Sequence, residues 1–381
     1  MKHAPPLTLD LAAEFPVLGG TDFFNHAAVA PMSARAARAM RDAAEECSRQ
    51  AYLSPGWYGD VVRVKQVAAG LINARGPHEI AFIPNTTTGL AMLAGGLDWR
   101  SGDRVVITDV EYPANRYPWT DLKRHGVEVV EAKQQHDLRI DVQSVLDLID
   151  SRTRVVSLSH VQYASGFRID LKPIADAVHA VGGLLCVDAI QSVGVLPVDV
   201  QGQGVDFLSA DGHKWMLGPE GAGFLYCHED LAAKVHPPIA GWLGRVNPMD
   251  FGNYDEQYLP DARRFEPGCW NISGLKALGA SLSLLTEVGI DTVWQRVDTL
   301  NQHLRAGLAD KGYRVVSPDG PDERSGIVSF VPPVGVDPAA AEQQLQSKRI
   351  IVAMRGGRLR ASPHFYNGIE QVDRLLDALP V

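Results

Sequence analysis

An α/β protein with a doubly wound, mostly parallel sheet of seven strands, joined to a smaller C-terminal α+β unit, is the fold this chain predicts. Three observations carry that expectation. The chain has 381 residues, more than a single hydrophobic core usually supports. From about residue 54 to residue 226, short apolar runs alternate with amphipathic stretches, the rhythm of strands joined by crossover helices. Several of those apolar runs end in chemically reactive polar residues, and open α/β sheets bind ligands beyond the carboxyl ends of their strands.

The strand candidates are 79–83, 104–108, 127–131, 154–160, 184–187, 207–209 and 223–226, and the helices between them are 88–97, 118–125, 141–148 and 171–181. Pro- and Gly-rich stretches at 237–244 and 260–268 read as loops that close the large unit. From residue 271 a long helix is followed by strands and helices of a smaller unit, with which the first 20 residues are expected to pack. The division is therefore a large domain over 21–260 and a small domain formed by 1–20 and 261–381. There is no internal repeat.

Composition narrows the function classes. A formal charge of −9, with no run of Lys and Arg, argues against nucleic acid as a partner. The stretch MKHAPPLTLDLAAEF has two prolines and an early Asp where a secretory peptide needs an apolar centre. The most apolar stretch, 181–198, is interrupted by Asp188, Gln191 and Pro197, so it reads as a buried strand and loop with no membrane span. Cys47, Cys186, Cys227 and Cys269 lack CxxC spacing, which favours reduced thiols in a cytoplasmic protein. The 12 histidines show no HExxH pattern, and no metal is expected.

The strand ends carry the chemistry. In Leu184-Leu185-Cys186-Val187-Asp188-Ala189-Ile190-Gln191 a carboxylate closes a buried strand, where it needs a partner. A protonated pyridine nitrogen is one such partner, and keeping it protonated makes pyridoxal 5′-phosphate (PLP) an electron sink; a helix cap or an arginine is the other reading. Lys214, in Ser209-Ala210-Asp211-Gly212-His213-Lys214-Trp215, follows an apolar strand and stands between glycine turns. Desolvation there would make it an imine-forming nucleophile, against the alternative of a surface lysine. His213 is a candidate acid/base or phosphate contact, against plain packing. Thr86-Thr87-Thr88 open a helix after a strand, a place that suits a phosphate or simple capping. Neither GxxxxGK[ST] nor GxGxxG is present, so a Walker loop and a dinucleotide fingerprint are both missing. Tyr112 could stack on a flat ring. The segment from Ser159 to Gly166, with Gln162, is a further polar strand end, and the guanidinium of Arg360 could grip a carboxylate.

Taken in order, Thr-Thr, an aromatic, Asp-x-x-Gln, Gly-His-Lys and Arg-x-Ser-x-x-x-Tyr-Asn resemble the class V aminotransferase family of fold-type I PLP enzymes, from Asn25-His26 to Tyr366-Asn367. That family includes cysteine desulfurases, selenocysteine lyases, kynureninases and isopenicillin N epimerase-like proteins. The resemblance implies a Schiff base at Lys214, Asp188 under the ring nitrogen, Gln191 at the ring oxygen and Tyr112 on the ring face. It implies Thr86, Thr87 and His213 at the phosphate, Arg360 on the substrate α-carboxylate with Gln162, Asn25 and His26 nearby, and a homodimer in which the Arg264–Cys269 segment reaches the partner's phosphate.

Three departures bear on chemistry. Asp211 stands where many relatives have Ser, so it is expected to turn from the phosphate and bond to backbone or to His213. Cys269 replaces a hydroxyl residue, so its main-chain N–H is expected to make the contact. Persulfide-forming desulfurases carry a Cys shortly before the Arg-x-Ser motif; the stretch 348–357 has none, and Arg355-Gly356-Gly357 is similar to the epimerase-like branch. The expected reaction passes through an external aldimine and a carbanion at Cα of an amino acid. Cleavage at Cβ by a lyase is favoured over epimerisation or transamination, and over a catalytically silent binding protein.

Overall fold

The computed structural model describes residues 7–53, 56–252, 254 and 256–380. The N-terminal expectations for residues 1–6, and the start of the strand–helix alternation at residue 54, lie outside the described residues. The large sheet comprises β1 (Ile80–Ile83), β2 (Arg104–Thr108), β3 (Glu128–Ala132), β4 (Thr153–Ser159), β5 (Leu184–Asp188), β6 (Phe207–Asp211) and β7 (Gly223–Cys227). Its order is β1-β7-β6-β5-β4-β2-β3. β7 runs antiparallel to both neighbours, whereas β3, β2, β4, β5 and β6 pair in parallel. Each strand lies within two residues of the run that predicts it.

Successive side chains on a strand point to opposite faces, and both faces of this sheet are covered. Val106, Leu185, Val187, Leu208 and Ala210 enter one core, while Val105, Ile107, Cys186 and Phe207 enter the other. This two-sided burial is why these strands read as near-continuous apolar runs. It also gathers the carboxyl ends of β2, β4, β5 and β6 on one edge, with the chain leaving β1 toward the same place.

Several expectations need correction. Helices Ala34–Gln50 and Gly59–Leu71 were not anticipated; Ser33 caps the first by accepting from Ala36 N–H, and both pack against helix Ile272–Val288. The expected helix at 118–125 is one α-turn, Tyr117–Thr120, followed by a tighter 3₁₀ turn that ends at left-handed Gly126. The long helix expected from residue 271 is two helices, Ile272–Val288 and Ile290–Asp310, broken at Gly289 with φ +82°. Ile272, Leu275, Leu278 and Leu282 pack in the core of the large sheet.

A second, antiparallel sheet has the order Ala353–Arg355, Arg358–Ala361, Val328–Val331, Arg314–Val315. It packs with helices Ile290–Asp310 and Ile369–Ala378 around Leu304, Phe330, Leu359 and Leu375. Leu7, Leu9, Leu11 and Phe15 pack around Leu284, Val293, Phe365 and Tyr366, and Asp22–Phe23 pairs in parallel with Ile350–Ile351. Among the described residues, no helix is long and apolar enough to cross a membrane.

Candidate active site

A cavity of about 350 Å³ opens at the carboxyl edge of the large sheet. Lys214 reaches it from the turn after β6. That turn is closed by Gly218 N–H donating to Gly212 C=O at 2.9 Å. Only glycine fits at 212, since a Cβ there would stand 2.5 Å from the Ala222 carbonyl oxygen. The Lys214 side chain is 9% exposed, and burial pulls its amine well below the ordinary lysine range. Asp188 pulls the other way, while Arg360 and Arg355 add to the depression.

Asp188, at the end of β5, is 2% exposed and accepts from Ile190 N–H at 3.1 Å. Burial raises its carboxyl above the usual range, and Lys214 opposes that shift. No arginine pairs with it among the described residues, and it caps no helix. Glu111 lies close enough to push Asp188 further up; it accepts from Thr108, Asn115, Ser159 and Gln162. Gln191 is buried; its Nε2 donates to Ala27 C=O at 3.0 Å and its Oε1 accepts from Trp215 Nε1 at 2.8 Å. One amide N–H of Gln191 remains for a ligand.

The helix that opens the site is Thr86–Gly96, two residues earlier than predicted, because Asn85 is its cap and accepts from Thr88 N–H at 2.9 Å. The N–H groups of Thr86 and Thr87 find no acceptor among the described residues, and both residues line the cavity. Thr86 Oγ1 accepts from Asp211 N–H at 3.0 Å, which ties the helix start to the end of β6. Gly89 permits the contact: a Cβ there would stand 2.2 Å from Ser209 Oγ. Asp211 makes both bonds expected of it, to Gly212 N–H at 2.7 Å and to His213 Nδ1 at 2.8 Å, and it does so while still on the cavity wall. Tyr112, 45% exposed, places its ring centroid 5.6 Å from Lys214 Nζ and packs edge-on against Tyr163.

Arg360 closes the far end. It is 1% exposed, donates to Tyr163 C=O at 2.7 Å and to Asn25 Oδ1 at 3.3 Å, and keeps a buried Nε without a partner. Burial, then the charge of Arg355, pushes its pKa down to about 9.

Not every predicted residue reaches the cavity. Asn25 stands behind Arg360 and orients it. His26 is fully buried, with Nδ1 at 2.7 Å from Ser362 C=O and Nε2 at 2.6 Å from the Tyr366 hydroxyl, so no ring nitrogen is left for a substrate. Gln162 bonds to Glu111 and lines an adjacent cavity of about 270 Å³. Cys269 is exposed on a separate cavity beside Pro84 and Trp270. Conversely, Ala27, Ala28, Val29, Tyr163 and Glu220 line the site without having been assigned to it. Tyr163 lay within a flagged strand end; the small apolar residues carried no signal at all.

The wall thus holds a desolvated amine, a buried carboxylate without an arginine, an aromatic face and free helix N–H groups. Those are complements to the aldehyde, ring nitrogen, ring face and phosphate of a phosphorylated pyridine aldehyde. The sequence pattern described as aminotransferase class V matches residues 48–375. The chain belongs to the aminotransferase class V family. It is a PLP-dependent enzyme of that family. A probable cysteine desulfurase of Methanothermobacter thermautotrophicus is 32% identical, over 98% of this chain and 97% of that one. An uncharacterized aminotransferase of Bacillus subtilis is also 32% identical, over 82% of this chain and 80% of that one. Among solved structures, the cystine C–S lyase C-DES in complex with its product cysteine persulfide superposes with a TM-score of 0.88 at 25% identity, covering 95% of this chain and 98% of that one. The apo cysteine desulfurase of Thermococcus onnurineus gives a TM-score of 0.89 at 24% identity, covering 98% and 97%.

Proposed function

We propose that this enzyme is a lyase that cleaves at Cβ of an amino acid, a C–S bond foremost, without a persulfide-forming cysteine of its own. One observation carries the reading. The cavity joins a buried amine to a buried guanidinium whose partners among the described residues are a carbonyl and an amide oxygen, and no thiol is among the residues that line it. Cys186 and Cys227 are buried in β5 and β7, Cys47 is exposed on helix Ala34–Gln50, and Cys269 opens elsewhere. The relative C-DES, a cystine C–S lyase, supports the same choice of reaction.

In this reading Thr86, Thr87 and His213 hold the cofactor phosphate, Gln191 the ring oxygen, Tyr112 the ring face, Asp188 the ring nitrogen and Lys214 Nζ the aldehyde carbon. Bound PLP supplies an electron sink for negative charge developing at Cα. Arg360, steadied by Asn25 and the Tyr163 carbonyl, grips the substrate α-carboxylate and fixes which bond at Cα faces Lys214. Its depressed proton affinity lets the Lys214 amine exist uncharged near neutral pH, ready to accept the α-proton at Nζ. Asp188, whose charged form Lys214 favours against burial, would stand opposite the ring nitrogen and hold a proton on it. Loss of the β-substituent with its bonding electron pair, then hydrolysis of the released product, turns cysteine into sulfide, pyruvate and ammonia.

The exposed Ile239, Trp242, Met249 and Phe251 near the Arg264–Cys269 segment support a homodimer, and four unpaired cysteines support a cytoplasmic setting.

The purified enzyme is expected to show a visible absorption band that borohydride removes, and to release pyruvate and ammonia from cysteine or cystine. Lys214→Ala should lose both the borohydride-sensitive band and turnover. Loss of optical activity without pyruvate, or turnover only with an added keto acid, would sink the lyase reading in favour of epimerisation or transamination.

A further inference from the structure

Strands Ala353–Arg355 and Arg358–Ala361 form a hairpin whose turn is Gly356-Gly357, both with positive φ (+57° and +73°). This two-residue turn fixes the register so that Arg355 stands directly opposite Arg358. Like charges at opposed positions of an antiparallel pair destabilise it, and Arg360 adds a third guanidinium two residues on. None of the three has an ion-pair partner among the described residues. Arg355 donates to its own neighbour, the Met354 C=O at 2.8 Å, and Arg358 keeps a buried Nε without a partner.

Arg355 and Arg360 both line the cavity. The acids on that wall are Asp188, Asp211 and Glu220. Asp188 faces Lys214, Asp211 is held by Gly212 and His213, and Glu220 makes no ion pair with either arginine. Arg360 is buried and Arg355 exposed, so with an α-carboxylate on Arg360 it is Arg355 that would be left for another group of the substrate. We propose that Arg355 reads a second acidic group, a carboxylate or sulfinate on the substrate side chain, and that the enzyme prefers amino acids carrying one. The inference rests on the cavity being an amino-acid site, as proposed above, and on nothing further about the fate of Cβ.

A matched pair of substrates tests it: S-carboxymethylcysteine and its near-isosteric amide, S-carboxamidomethylcysteine. With the holoenzyme, the acid should exceed the amide in kcat/KM by about tenfold or more, the scale of one charge-assisted contact. Arg355→Gln should bring that ratio close to one, and Arg355→Lys should restore part of it. A ratio near one in the parent, or one that Arg355→Gln leaves intact, overturns the inference. If neither compound is turned over, the lyase reading still rests on cysteine and cystine, and binding decides the inference separately. Maleate should then raise the melting temperature of the holoenzyme more than propionate does, and Arg355→Gln should erase that difference. Equal shifts from the two acids in the parent overturn the inference.

Discussion

Lys65 and Arg360 are buried equally deeply, yet the chain treats them in opposite ways. Lys65 Nζ lies 2.8 Å from the carboxylate of Glu266, with side chains 3% and 2% exposed, and sits over the rings of Phe82 and Trp270. Arg360 is equally hidden but has only a carbonyl and an amide oxygen for partners. A buried charge without a counter-ion is costly, and folding alone gives no reason to keep one. The first cation completes a structure. The second is complete only when an anion arrives.

The difference can be broken from either side. Removing one member of a buried pair strands the other, so Lys65→Ala should lower unfolding free energy by about 3–5 kcal/mol in urea titrations. The paired change Lys65→Met with Glu266→Leu should recover most of that, since apolar side chains of similar volume fill the space without an orphan charge. If the double variant is no better than the single one, the pair is more than a structural closure. Arg360→Gln should show the converse: a loss in kcat/KM of about 100-fold or more, from the charge-assisted bonds it makes to a carboxylate, with stability held within about 1 kcal/mol. A variant that unfolds like Lys65→Ala would place Arg360 with the structural cations and remove the anion site.

The sequence made the large sheet legible because parallel strands buried on both faces are near-continuous apolar runs, and β5, β6 and β7 stand out for that reason. The helices Ala34–Gln50 and Gly59–Leu71 escaped because they precede the first strand of the large sheet and their apolar faces have meaning only against helix Ile272–Val288, more than 200 residues later. The site divides along the same line. Asp188, Lys214 and Thr86 were visible because each follows an apolar strand, so position along the chain implies position at the sheet edge. Arg360 could be matched by motif, but its partner Asn25 lies 335 residues away and is brought there by the contact of the N-terminal segment with the second sheet. His26 shows the same limit in reverse. Its neighbour in sequence reaches Arg360, while its own ring turns into the core.

That ring belongs to a third way of burying a titratable group, which is to keep it neutral. His26 Nδ1–H donates to Ser362 C=O while the Tyr366 hydroxyl donates to Nε2; His364 Nε2–H donates to Trp215 C=O at 3.0 Å while Nδ1 accepts from Phe365 N–H at 2.9 Å. Each ring is thus fixed in one tautomer, with the centroids 5.2 Å apart. Burial holds His364 down to about 4 and His26 well below the ordinary histidine range, and a charge on His364 depresses His26 further. Because the folded values are depressed, the stability these rings confer is whole above the unfolded value near 6.5 and drains away as pH falls from there toward 4. At pH 5 the loss from His364 is about 2 kcal/mol, and His26 adds to it in the same direction. The urea midpoint should therefore fall between pH 7 and pH 5, and His364→Gln should show a visibly smaller fall than the parent. Since Asn25 and Lys214 adjoin His26 and Trp215 in the chain, a loosened ring pair also loosens the grip on Arg360 and the Lys214 turn. Equal falls in parent and variant would mean that the acid sensitivity lies in the carboxylates instead, and that these two rings are ordinary packing.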